Sequence, residues 1–144
     1  MAVKTITATA SMTAGMTVEV QAGGHTIYMD QPKNAGGADK GPTPPDFLIG
    51  ALAGCLGTIG RIVAHQQKIA LRGMQFEIEA DFDTDRLMGK ATENRAGFSE
   101  VRLKVDIDAD LSPEQKQTFL EEIERRCPIA DNLINGTMIK AVVA

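Results

Sequence analysis

The chain has 144 residues, of which 43% are hydrophobic, and this is enough for one folded domain with a single core. Its formal net charge is −4 at pH 7, so it carries no positive field that would hold nucleic acid phosphates or an anionic membrane surface. No sustained apolar run follows Lys4, so the start lacks the core of a secretory signal. We therefore expect a single domain over residues 1–144, located in the cytoplasm, with neither nucleic acid nor membrane as a partner.

The N-terminal third is rich in β-favouring residues. Stretches at residues 3–9, 16–21 and 26–29 predict three strands. The turn signal Ala22-Gly23-Gly24 separates the last two, so an antiparallel meander is expected. Residues 31–45 are rich in glycine, alanine and proline and predict an exposed loop.

A long helix is predicted from Pro44 to about residue 68, because proline is tolerated in a first turn and Asp46 complements the helix dipole. Residues 47–64 are mostly apolar and approach the length of a membrane span. Arg61 and several glycines dilute this stretch, so a buried helix of a soluble protein is favoured. Glycines recur along one face, at Gly50, Gly54 and Gly57. Such a face is bare enough for another helix or strand to approach closely.

The second half predicts strands followed by a helix. Apolar and polar residues alternate over 74–82 and again over 101–107, which is typical of half-buried strands, and the charged stretch 83–97 predicts a flexible hairpin connection. Ser112 with Gln115 predicts a capping box that starts a helix to about residue 126. The buried face of that helix is expected to contain Phe119, Leu120, Ile123 and Cys127. Residues 137–143 predict a last strand, so the fold class is α+β.

Two cysteines, Cys55 and Cys127, are the residues most suited to chemistry. Cys55 lies mid-helix among apolar residues, where a free cysteine is more often a packing residue. Cys127 precedes Pro128 and can cap a short helix, whose unpaired N–H groups would stabilise a thiolate. A cysteine that only ends one helix and packs is the other interpretation of Cys127, and this pattern leaves both open.

The sequence predicts neither a metal nor a cofactor. The histidines and cysteines, His25, Cys55, His65 and Cys127, show none of the close paired spacings that zinc sites use. Lys40 in the glycine-rich segment is followed by Gly41-Pro42 rather than by the serine or threonine of a phosphate-binding loop.

Two motifs resemble those of the OsmC/Ohr family. Residues 41–55, GPTPPDFLIGALAGC, are similar to the family's stretch before its reactive cysteine, and residues 126–129, RCPI, are similar to its Cys-Pro motif. The resemblance spans nearly the whole chain. It implies an α+β fold in which antiparallel sheets pack around long central helices in an intertwined homodimer, with the paired cysteines near the dimer interface.

The resemblance also implies a thiol-dependent peroxidase that acts in oxidative stress defence. Cys55 would attack the distal oxygen of an organic hydroperoxide and become a sulfenic acid. Cys127 would condense with it to a disulfide, which an external dithiol reduces. Asp46, nine residues before Cys55, is the nearest carboxylate and is taken as a third site residue.

This chain departs from the characterised peroxidases of the family at two places. They use an N-terminal arginine to hold the thiolate, whereas residues 1–45 here contain none, and Pro45 stands where they carry a glutamate. Arginines that could replace the missing one are Arg86, Arg95, Arg125 and Arg126. The alternative functions are a non-catalytic member that binds a hydrophobic small molecule in the dimer cleft, and a structural protein whose cysteines are core residues.

Overall fold

Five strands and four α-helices make up the chain in the computed structural model, which describes all 144 residues. They divide into two compact units, Met1–Gly50 and Ala51–Ala144. Both sheets are antiparallel, one with three strands and one with two. The combination of antiparallel sheets and helices confirms the α+β class, while the single domain over residues 1–144 stays a prediction.

The first unit contains the predicted meander. Its strands are β1 (Ala8–Ser11), β2 (Val18–Ala22) and β3 (His25–Met29), paired in that order. The start predicted for β1 is wrong: Ala8 pairs with Ala22, the last residue of β2, so the residues before Ala8 lie beyond the end of the partner strand. No apolar side chain of this unit is fully buried.

Asp30 organises the loop that follows β3. It is 1% exposed. Its carboxylate accepts hydrogen bonds from the Thr17 hydroxyl at 2.7 Å and from the backbone N–H groups of Gln31 at 2.8 Å and Lys40 at 3.2 Å. A buried carboxylate requires such partners, so the loop closes around this side chain.

Helix α1 (Pro44–Gln67) confirms the predicted long helix. It is the one helix long and apolar enough to cross a membrane by length and composition, and 28% of its most apolar window is buried within the chain. Its fully buried positions are Leu52, Leu56, Gly60, Val63 and Ala64. The glycine face is only partly covered: a Cβ on Gly57 would lie 3.6 Å from the Phe76 ring, whereas one on Gly50 or Gly54 would meet nothing within 4 Å.

Strands β4 (Gly73–Asp81) and β5 (Glu100–Asp108) form the second sheet, with Gly73 opposite Asp108 and Asp81 opposite Glu100. The alternation in both strands is as predicted, with the apolar side facing the core. The connection between them contains a short helix that the sequence did not predict, α2 (Thr84–Leu87), capped by the Asp83 side chain.

Helices α3 (Pro113–Arg125) and α4 (Pro128–Ile134) are the last regular elements of the chain. The capping box predicted at Ser112 and Gln115 is present at the start of α3. The core, which lies in the second unit, is formed by α1, α3 and the β4–β5 sheet, with Leu56, Val63 and Ile123 at 0% exposure. The last strand predicted at residues 137–143 is wrong, because this segment forms no strand and pairs with nothing in the chain.

Candidate active site

Cys127 lies in the short break between α3 and α4. Its backbone caps α4, and its Sγ accepts a hydrogen bond from the N–H of Ala130 at 3.3 Å. The side chain is 1% exposed and belongs to the hydrophobic core. The cap is one of the two interpretations that the sequence left open for Cys127; Pro128 supplies the first residue of the helix and has no N–H to leave unpaired.

Cys55 lies in the middle of α1, partly buried, and packs against the same core. Burial raises the pKa of its thiol above the ordinary value, and a hydrogen bond with the Cys127 side chain and the charge of Cys127 raise it further. The backbone N–H of Ile129 acts in the opposite direction, because it stabilises the thiolate. In this state Cys55 is therefore mostly a neutral thiol at pH 7.

The fold thus brings together the two cysteines, which stand 72 positions apart in the sequence. Both are free thiols. The central turns of α1 carry one, and the α3–α4 break carries the other. Two neighbouring thiols are the starting arrangement for reversible disulfide formation.

A pocket of about 530 Å³ opens beside Cys55. It is lined by Gly54, Cys55, Thr58, Ile59, Ile62, Arg126 and Pro128. Most of this wall is apolar, which suits a ligand with a hydrocarbon group. Of the lining residues, the sequence singled out Cys55, Gly54, Arg126 and Pro128. Ile59 and Ile62 were missed, although they lie four and seven residues after Cys55 and so on the same side of the helix.

Only one of the four candidate arginines lines this pocket, and it is Arg126. Arg125 forms an ion pair with Glu122, and its side chain is 72% exposed. Arg86 donates hydrogen bonds to two backbone carbonyls of the β4–β5 connection, and Arg95 lies against Gly97 of the same connection. No arginine is among the groups that shift the pKa of Cys55.

Asp46 lies at the start of α1, in the first unit, and is exposed. Its Oδ2 accepts hydrogen bonds from the backbone N–H of Thr43 at 3.0 Å and from the Thr43 hydroxyl at 2.6 Å. Thr43 and Asp46 therefore act as a reciprocal cap of the helix. No group of three or more His, Cys, Asp or Glu side chains is placed to hold a metal ion.

Both free thiols and the pocket beside Cys55 lie in the second unit of this α+β chain. The model of the OsmC-like protein family matches residues 37–142, which include both cysteines and the whole pocket. The chain belongs to this family. No curated protein sequence is similar enough to count as a match.

Solved structures show the same fold. The OsmC-like protein from Mycoplasma pneumoniae superposes with a TM-score of 0.79 at 21% identity, over 92% of this chain and 89% of that one. An organic hydroperoxide resistance protein OsmC from Legionella pneumophila gives a TM-score of 0.68 at 24% identity, over 94% and 93% of the two chains. The organic hydroperoxide resistance protein OhrB of Bacillus subtilis gives 0.61 at 18% identity, over 94% of each chain.

Proposed function

We propose that this protein is a thiol-dependent peroxidase that reduces organic hydroperoxides through the pair Cys55 and Cys127, as part of oxidative stress defence. The observation that carries the proposal is the interaction of the two free thiols at the edge of an apolar pocket. Two of the structural relatives described above bear the name of organic hydroperoxide resistance proteins, which agrees with this chemistry.

The reaction assigns a different task to each cysteine. The Cys55 thiolate, which lines the pocket, attacks the distal oxygen of the hydroperoxide, the O–O bond breaks, and the alkoxide takes a proton and leaves as an alcohol. Cys55 is then a sulfenic acid. The buried Cys127 thiol displaces the hydroxyl as water and forms the disulfide. An external dithiol reduces the disulfide by thiol exchange and is itself oxidised.

The decisive experiment is mass spectrometry of the protein after one equivalent of an organic hydroperoxide. We expect a Cys55–Cys127 disulfide and the loss of both free thiols together. In the Cys55→Ser variant, peroxide consumption should stop. In Cys127→Ser, one equivalent should react and Cys55 should then remain as a sulfenic acid or oxidise further. Two unmodified thiols under excess oxidant would exclude the mechanism.

A second candidate function is the binding of a hydrophobic small molecule without catalysis. It is favoured by the apolar wall of the pocket and by the raised pKa of the Cys55 thiol, which limits the amount of thiolate. The two functions differ in one measurement. A pure binding protein would take up an apolar ligand equally well with both cysteines replaced by serine, and neither thiol would be consumed.

The proposal includes a homodimer in the cytoplasm. The three-stranded sheet of the first unit buries no apolar side chain completely in the single chain, and Gly50 and Gly54 on α1 face open space. Both surfaces would be covered by a second copy of the chain. No nucleic acid or membrane takes part in this function.

A further inference from the structure

The two cysteines of the site are not equally accessible to a second molecule. Cys127 is 1% exposed and belongs to the buried cluster that contains Leu56 and Ile123. Cys55 is partly exposed and lines the pocket of about 530 Å³, whereas Cys127 is not among the lining residues. A molecule that enters the pocket therefore meets Cys55 and not Cys127.

This difference in accessibility holds in a dimer as well. A second chain can cover residues that are exposed in one chain, but it cannot expose Cys127, which the core of its own chain already covers. The pocket beside Cys55 is also the entrance through which a hydroperoxide reaches that thiol in the proposed function. The same entrance is therefore open to a reductant. Access to Cys127 requires local opening of the break between α3 and α4.

Cys127 is suited to leave as a thiolate. In disulfide exchange the attacked sulfur forms the new bond, and the other sulfur takes the electron pair of the bond that breaks. The Sγ of Cys127 accepts a hydrogen bond from the N–H of Ala130 at 3.3 Å, and such a bond strengthens when the acceptor becomes charged. Cys55 has a comparable partner in the N–H of Ile129, so accessibility and not hydrogen bonding decides which sulfur is attacked.

We propose that the external dithiol attacks the disulfide at Cys55 and that Cys127 is the leaving group. The inference rests on the proposed function and adds to it the order in which bonds change. A thiolate of the reductant bonds to the Cys55 sulfur, the Cys55–Cys127 bond breaks, and Cys127 takes the electron pair and then a proton. The second thiolate of the reductant attacks its own sulfur in the mixed disulfide, and Cys55 leaves and is protonated. The protein gains two electrons and two protons, and the reductant becomes a disulfide.

The test identifies the cysteine that bonds to the reductant. The disulfide of the full-length protein is formed with diamide, an azo oxidant that takes two electrons from a pair of thiols, so that no hydroperoxide is needed. Excess mercaptoethanol, which has a single thiol, is added, and the reaction is stopped with acid at short times. After removal of the mercaptoethanol, free thiols are labelled with N-ethylmaleimide in denaturant. Peptide mass spectrometry should find mercaptoethanol on Cys55 and the label on Cys127. The reverse pattern would overturn the proposal.

Two single-cysteine variants measure the accessibility itself. The Cys55 thiol in Cys127→Ser should react with dithiodipyridine about tenfold or more faster than the Cys127 thiol in Cys55→Ser, because the buried thiol reacts only after local opening. In denaturant the two rates should become similar, which is the matched control. Equal rates in the folded variants would contradict the proposal.

The outcomes separate this inference from the proposed function. If mercaptoethanol bonds to Cys55 but the protein consumes no hydroperoxide, the order of reduction stands and the peroxidase function fails. If mercaptoethanol bonds to Cys127 in a protein that does consume hydroperoxide, the function stands and the order fails. If diamide forms no disulfide between the two cysteines, both fail.

Discussion

Among the single residues of the site, Asp46 has contacts that indicate a structural role rather than a catalytic one. Both hydrogen bonds of its carboxylate go to Thr43, so its main task is to hold the first turn of α1. We expect Asp46→Asn to lower any peroxidase rate by less than about tenfold, measured as kcat/KM for an organic hydroperoxide. Thr43→Val, which removes the hydroxyl, is the control and should act alike. A loss as large as that in Cys55→Ser would instead make Asp46 a catalytic residue.

Asp30 makes the stability of the first unit depend on pH. Burial alone would raise the pKa of its carboxyl, but hydrogen bonds from Thr17 and from the N–H groups of Gln31, Lys40 and Ala38 together lower it below the ordinary value. A carboxyl with a lower pKa in the folded chain stabilises the fold above the unfolded pKa of about 3.9, and this contribution disappears as the pH falls through the folded pKa.

The predicted consequence is a pH-dependent loss in Asp30→Asn. The asparagine NH₂ cannot accept the bonds that one carboxylate oxygen accepts, so the variant should melt at a lower temperature than wild type at pH 7. The difference should shrink as the pH falls below about 4, where the carboxyl of the unfolded chain becomes protonated, and it should be lost as the pH falls through the lower pKa of the folded carboxyl. Asp39→Asn, in the same loop but exposed, should follow the wild-type curve. A difference that is constant with pH would contradict this account.

Among the elements, α1 has a glycine, Gly54, that no atom of the chain covers. Replacing it can show whether this face of the helix is covered by a second chain or exposed to solvent. Leucine is a better helix former than glycine by about 1 kcal/mol, so Gly54→Leu would stabilise a helix whose face stays in solvent. We expect the opposite, a lower melting temperature and less soluble protein, because in the proposed homodimer a second chain packs on this face. Gly57→Leu is the comparison: it meets Phe76 within the chain and should lose stability whether or not a partner is present.

The elements that the sequence predicted are those whose signals are local. The alternation in β4 and β5 and the capping box at Ser112 act within a few residues, and both appear as expected. Residues 137–143 have strong β propensity, but they pair with none of the strands of the chain, although both sheets have unpaired edges. Propensity alone could not reveal that.

The site, too, could be predicted from the sequence only where its signals are local. The motifs around Cys55 and Cys127 indicated the pair, and Pro128 indicated the cap. Arg126 lines the pocket and Arg125 does not. This difference depends on which side of the end of α3 faces α1, and the packing of the two helices determines that side. Neighbouring arginines in a sequence carry no such information.

For the whole molecule, we expect an obligate homodimer. The single chain leaves large apolar side chains in solvent at both ends, including Ile6 at 82% exposure, Ile139 at 89% and Val142 at 93%. Together with the uncovered face of α1, this is more exposed apolar surface than a stable monomer carries. Light scattering should give twice the 15.4 kDa of one chain at all concentrations at which the protein stays folded. A folded species of one chain's mass would contradict the prediction.

The connection between β4 and β5 also determines where a protease can enter. The Asp83 carboxylate accepts hydrogen bonds from Thr92 and Asn94 and from the N–H of Asp85, while Arg86 donates to the carbonyls of Thr92 and Asn94. Trypsin requires a locally unfolded backbone and a free basic side chain, and this highly charged stretch provides neither at Arg86. Cleavage should therefore begin in the two termini that no helix or strand holds, at Lys4 and Lys140, and the bond after Arg86 should be cut only later.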